Sequence, residues 1–71
     1  MSYPNLASTL CNKLTSSEWQ LVSYYINKAD SLGKYGNDSK AREALQDAVA
    51  VAKANGEFNA AYKIEYYLRF Y

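Results

Sequence analysis

An all-α protein, a compact bundle of three to four short antiparallel helices, is the fold this sequence predicts. Three observations lead there. Apolar residues recur at steps of three and four along the whole chain, and no stretch alternates long enough to suggest a strand. Gly33, Gly36, Gly56 and Pro4, all the glycine and proline in the chain, fall where helices are expected to stop or start. The 71 residues suffice for one domain and one core, 1–71, without room for a second.

The first helix is expected at about 4–13. Pro4 suits a first turn, where its missing N–H costs nothing, and Leu6, Leu10 and Leu14 recur every four residues. Ala7 and Cys11 lie beside that stripe, so Cys11 reads as a small core residue. The strongest local signal follows. Thr15-Ser16-Ser17-Glu18 is a capping box, with Leu14 and Trp19 placed to staple the helix start. This opens a helix over about 16–33, whose inner face carries Trp19, Val22, Tyr25, Ile26, Ala29 and Leu32. Leu21 and Tyr24 lie off that stripe, which predicts neighbours on more than one side. Gly33 should end the helix, and Lys34-Tyr35-Gly36-Asn37 reads as a turn.

Asn37 or Asp38 is placed to cap a third helix, about 39–54. Its buried face is Ala41, Ala44, Leu45, Ala48, Val49 and Ala52, small enough to let neighbouring helix axes approach closely. Lys40, Glu43 and Asp47 should face outward. Asn55-Gly56 closes it, and the last helix is expected at about 57–70. That helix has two apolar rows. Ala60, Ala61, Ile64, Tyr67, Leu68 and Tyr71 form one, and Phe58, Tyr62, Tyr66 and Phe70 the other. Two apolar faces require two packing partners. One is the chain's own core, and the other is the first helix or another molecule.

Composition narrows the function. Apolar residues make up 49% and charged residues 21%, with a net charge of +1, as in an ordinary globular chain. Histidine is absent and Cys11 is the single cysteine, which leaves no histidine general base, no Cys/His zinc site and no internal disulfide. No catalytic triad, nucleophile elbow or phosphate-binding glycine loop stands in the sequence. Asp30 and Asp38 are wrongly spaced for a calcium loop. Asn37-Asp38-Ser39 matches a glycosylation sequon but is explained as a turn and cap. The expectation is a non-enzyme with no cofactor, no metal site and no small-molecule substrate. No apolar leader and no membrane-length run is visible, so a cytoplasmic location is expected.

A domain this small buries roughly 60% of its unfolded surface, and its core supplies about 3–5 kcal/mol. Without disulfide or metal, association with a partner gains weight. Eight tyrosines, half of them beyond residue 60, contribute to an aromatic content of 15%. Tyrosine pairs a large apolar ring with a polar tip and so serves at contact surfaces.

Two family resemblances bear on the partner. Leu14-Thr15-Ser16-Ser17-Glu18-Trp19-Gln20-Leu21 resembles the helix opening of helix-turn-helix and winged-helix domains, which implies DNA binding. Against it, Lys40 and Arg42 are answered by Glu43 and Asp47, and the remaining cations are scattered, whereas a DNA binder needs a one-sided basic field. From Tyr25 onward the chain resembles one tetratricopeptide hairpin plus the first helix of the next repeat. Ala41, Leu45 and Ala48 match the signature of the repeat's second helix. Tyr25, Ala29 and Leu32 stand at first-helix positions, with Gly36 at the turn. Ala29, Leu32 and Lys53 replace the repeat's usual glycine, tyrosine and proline, and Gly33 falls inside its helix. The resemblance implies a hairpin surface that binds protein.

Together these readings predict a non-catalytic protein–protein interaction module, acting on a protein partner or on itself as a homodimer. Phe58, Tyr62, Tyr66 and Phe70 are the expected contact residues, with Tyr67 and Tyr71 if the two rows exchange roles. Such a chain suits a small regulator or inhibitor docking on a larger protein machine, in the manner of phage-type accessory proteins. The alternatives are a helix-turn-helix-like DNA-binding regulator and a purely structural small subunit.

Overall fold

A computed structural model describes residues 3–71 and contains four helices: α1 (Leu6–Lys13), α2 (Ser16–Lys34), α3 (Asp38–Ala54) and α4 (Phe58–Leu68). Successive helices run antiparallel through short connections, and α3 packs between α2 and α4. Helix α1 lies against α2 and closes the bundle by touching α4. The radius of gyration is 10.6 Å, and the body measures 31 × 20 × 18 Å.

The core is a continuous cluster. Leu6, Leu10, Val22, Ile26, Leu45 and Ile64 are fully enclosed, and Tyr67 is the one ring at its centre with 3% of its surface exposed. The expected α3 face is buried in full: Ala41, Ala44, Leu45, Ala48, Val49 and Ala52. Four of those six are alanines. With so little side-chain bulk, α3 can lie close to helices on both flanks, and Leu45 fills the space between them.

Where helix boundaries differ from the sequence reading they do so by one or two residues. Helix α1 begins at Leu6, not Pro4, because Asn5 sits in the left-handed region (φ 56°, ψ 39°) and makes a turn with Pro4. The capping box at Thr15 forms in both directions. The Thr15 N–H donates to Glu18 Oε1 at 2.9 Å, and the Glu18 N–H donates to Thr15 Oγ1 at 3.3 Å. Glu18 is buried as a result, the one charged side chain in the interior among the described residues. Leu14 is buried and Trp19 half-buried beside it.

Helix α2 continues past Gly33, which is helical and buried, to Lys34. The stop comes at Gly36 (φ 79°), and the stop after α3 comes at Gly56 (φ 74°). These two ends are the same structure. The Gly36 N–H donates to the Gly33 carbonyl and Asn37 N–H to Leu32. Likewise Gly56 N–H donates to Lys53 and Glu57 N–H to Ala52. Each is a Schellman motif with glycine in the left-handed position. Asn37 (φ −92°, ψ 66°) and Glu57 (φ −90°, ψ 63°) then open the next helix with matching backbones. Neither Asn37 nor Glu57 makes a side-chain cap; of the two residues expected to cap α3, Asn37 takes the cap position without that bond. Asp38 lies inside the first turn of α3.

Helix α4 ends at Leu68, short of the predicted residue 70. Tight turns follow, with Phe70 N–H donating to Tyr67 and Tyr71 N–H to Leu68 at 3.1 Å each. The Arg42 guanidinium on α3 caps this end, donating to the carbonyl oxygens of Leu68 (2.8 Å) and Tyr71 (3.3 Å).

Candidate interaction surface on helix α4

The two apolar rows of α4 separate cleanly by burial. Ala60, Ala61, Ile64 and Tyr67 face the core, while Phe58 (65%), Tyr62 (76%) and Tyr66 (53%) stand exposed on the opposite side. These three rings follow one another at four-residue steps, so they form a ridge along the outer face of the helix. Phe70, expected on the same row, lies at its flank and is half-buried against Tyr3, with ring centroids 5.0 Å apart.

Tyr67 and Tyr71, the alternates for the contact face, belong elsewhere. Tyr67 is core and has no surface to offer a partner. Tyr71 is half-buried, and its hydroxyl is enclosed without a hydrogen bond. Burial chiefly raises the Tyr71 pKa above its ordinary value, and the Asp30 and Asp38 carboxylates push the same way against a nearby Tyr3 backbone N–H. Burial, followed by the neighbouring Tyr3 and Tyr66, also raises that of Tyr67.

A cluster of edge-to-face rings supports the C-terminal end of the ridge. Tyr3 meets Tyr67 at 4.9 Å and 76°, and Tyr66 meets Tyr67 at 5.0 Å and 82°. Rings in this arrangement attract one another beyond their simple burial. Tyr66 is therefore held from beneath by a core ring while its outer side stays open. The Arg69 guanidinium lies 4.8 Å from the Tyr66 ring centre, a cation–π contact. An open groove of about 660 Å³ runs beside the ridge, with Tyr62 and Tyr66 on its wall and Tyr3, Lys13, Lys63 and Glu65 around it.

The charges near this surface are largely engaged within the fold. Lys63 Nζ donates to the Lys13 carbonyl at 2.9 Å, capping the end of α1, and Lys53 lies 4.0 Å from Glu65. On another part of the surface, Lys34 pairs with Asp30 at 3.3 Å.

Several features escaped the sequence reading. Tyr3, which precedes α1, joins the aromatic cluster, and nothing local marks it for that role. Arg42 and Lys63 cap helix ends 26 and 50 residues away in sequence, so spacing carries no signal of either contact. Tyr24 and Tyr35 are exposed, yet neither belongs to the α4 ridge. Cys11, expected in the core, is exposed. Helix α1 buries only Leu6 and Leu10, with Leu14 following at its C-cap, and Cys11 falls one position beyond that stripe.

Among the described residues, no group of three or more His, Cys, Asp or Glu side chains is placed to hold a metal ion, and no helix is long and apolar enough to cross a membrane. Comparison with known family models, curated proteins and solved structures returned no match.

Proposed function

We propose that this chain is a non-catalytic protein–protein interaction module that docks through the Phe58–Tyr62–Tyr66 ridge of α4, onto a protein partner or a second copy of itself. The observation that carries this reading is the exposure of three large rings in one row on a helix whose other face is fully packed. Solvation does not account for such a row, because exposed apolar surface is normally scattered, and a contiguous patch marks an interaction site. Aromatic rings are also the side chains that most often dominate binding energy. Tyr66 is pre-set by Tyr67 below it, so ordering it in a complex costs little entropy.

The DNA-binding alternative has less support. Five of the eight cationic side chains are engaged within the fold: Arg42 and Lys63 with carbonyls, Arg69 with a ring, and Lys34 and Lys53 with carboxylates. The absence of histidine and the use of Glu18 in a helix cap favour a binding role over a catalytic one.

Photo-crosslinking in cells of the native host tests the reading. A benzophenone side chain at position 62 is expected to yield a discrete protein adduct, and the same probe at Gln46, on the outer face of α3, none. Equal labelling at both positions, or none at either, would reject the ridge as a docking site. Tyr66→Ala is expected to weaken complex formation more than it lowers the melting temperature.

A further inference from the structure

We propose that the occupant of the α4 ridge is a second copy of this chain, seated with its own α4 antiparallel to the first about a two-fold axis at Tyr62. The inference rests on the docking reading above and adds the identity and geometry of the partner.

The first argument is symmetry. A two-fold interface must be self-complementary: if residue i meets residue j, then j meets i. Phe58 and Tyr66 stand four residues before and after Tyr62, so the row reads aromatic–aromatic–aromatic in either direction. Antiparallel pairing centred on Tyr62 sets Tyr62 against Tyr62 of the second copy, and Phe58 against its Tyr66.

Charge placement is the second argument. At 100° per residue the arc centred on Tyr62 also carries Asn59 and Glu65, and Arg69, just past the helix end, follows the same direction; all three are exposed. Antiparallel pairing brings Glu65 opposite Asn59 and carries Arg69 past the start of the facing α4, so neither meets a like charge on that helix. Parallel pairing instead sets Glu65 on Glu65 and Arg69 on Arg69, a like-charge penalty at two levels. The helix dipoles also favour the antiparallel arrangement.

Area sets the size class of the interface. The exposed parts of three such rings amount to about 400 Å² per copy. With the flanking polar residues the total for two copies reaches about 1,200 Å², the lower limit of specific interfaces. An interface at that lower limit belongs with the reversible dimers, which exchange with monomer.

Sedimentation equilibrium over a wide concentration range provides the test. The wild-type mass is expected to climb from 8.0 kDa toward twice that value. Tyr62→Glu and Tyr62→Lys each place like charges on the axis, so each alone is expected to remain monomeric at concentrations where the wild type pairs. An equimolar mixture of the two is expected to recover dimer, because glutamate then faces lysine. Tyr24→Glu, exposed but off the ridge, is the control and leaves the wild-type behaviour unchanged. Circular dichroism verifies that each variant is folded. In a Cys11→Ser background, mixed oxidation of Phe58→Cys and Tyr66→Cys chains is expected to favour the 58–66 disulfide over 58–58.

A wild type that stays monomeric throughout overturns the proposal, as does a mixture that fails to recover dimer. A monomeric chain whose position-62 probe captures a different protein overturns the self-pairing while leaving the docking reading intact. No adduct at all overturns both. A monomer that retards single-stranded oligonucleotides through Tyr62 overturns self-pairing in favour of base stacking on the ridge.

Discussion

The fate of each C-terminal ring depends on its angle around α4, and neighbouring tyrosines therefore behave differently. Tyr66 and Tyr67 touch at 5.0 Å, yet one is 53% exposed and the other 3%. Tyr67→Ala is expected to destabilise the fold by about 3–5 kcal/mol, whereas Tyr62→Ala should stay within about 0.5 kcal/mol. Chemical denaturation of both variants checks this, and comparable losses would show that the ridge is structural. Alkaline pH supplies a second residue-level prediction. The folded state raises the Tyr67 and Tyr71 pKa values above the ordinary 10.0, so it holds these protons more tightly than the unfolded chain. Their contribution is complete below pH 10 and is lost as the pH rises through the folded values. The denaturation midpoint should fall in that window, and the fall should shrink in the Tyr67→Phe, Tyr71→Phe double variant. Helical periodicity alone was enough to divide the two rows, because burial follows angle. It left open which row faced inward, and it placed Phe70 on the ridge because it carried no information about Tyr3.

At the scale of elements, local chemistry decided most of what was legible. The Thr15–Glu18 box and the α3 alanine face lie within single turns of sequence, and both formed as read. The errors occurred where backbone conformation overrode side-chain pattern, at Asn5 before α1 and at the glycine after α2. Gly33 reads as a helix stop, but the left-handed residue is Gly36, three positions on. Gly36 and Gly56 make a sharp test, since a Cβ at either would meet nothing within 4 Å. The cost of alanine there is backbone strain alone. Gly36→Ala and Gly56→Ala should therefore each lose roughly 1–2 kcal/mol, and by similar amounts. Unequal losses would mean that the two turns are not energetically alike. Arg42→Ala should cost about 1 kcal/mol and speed amide exchange at the end of α4, because two carbonyls lose their donor.

For the whole molecule, the main packing pairs are neighbours in sequence, α1 with α2, α2 with α3 and α3 with α4. Short connections made this antiparallel order legible in advance. The closure of α1 onto α4 was legible only as one of two alternatives, because contacts such as Lys63 with Lys13 are announced by no local pattern. A body this small has little stability in reserve, so association should be visible in its unfolding. If the ridge pairs two copies, the melting temperature should rise with protein concentration in the wild type and stay constant in Tyr62→Glu. A concentration-independent wild type would count against pairing.

The capping box has one further consequence. Trp19, the only indole in the chain, sits in the first turn of α2, while Tyr71 lies near Asp30 toward that helix's far end. Indole emission therefore reports on the junction of α1 with α2, and tyrosine signals are weighted toward the aromatic end. Excitation selective for the indole thus follows loosening at the α1–α2 junction, without a contribution from the ring cluster around Tyr67.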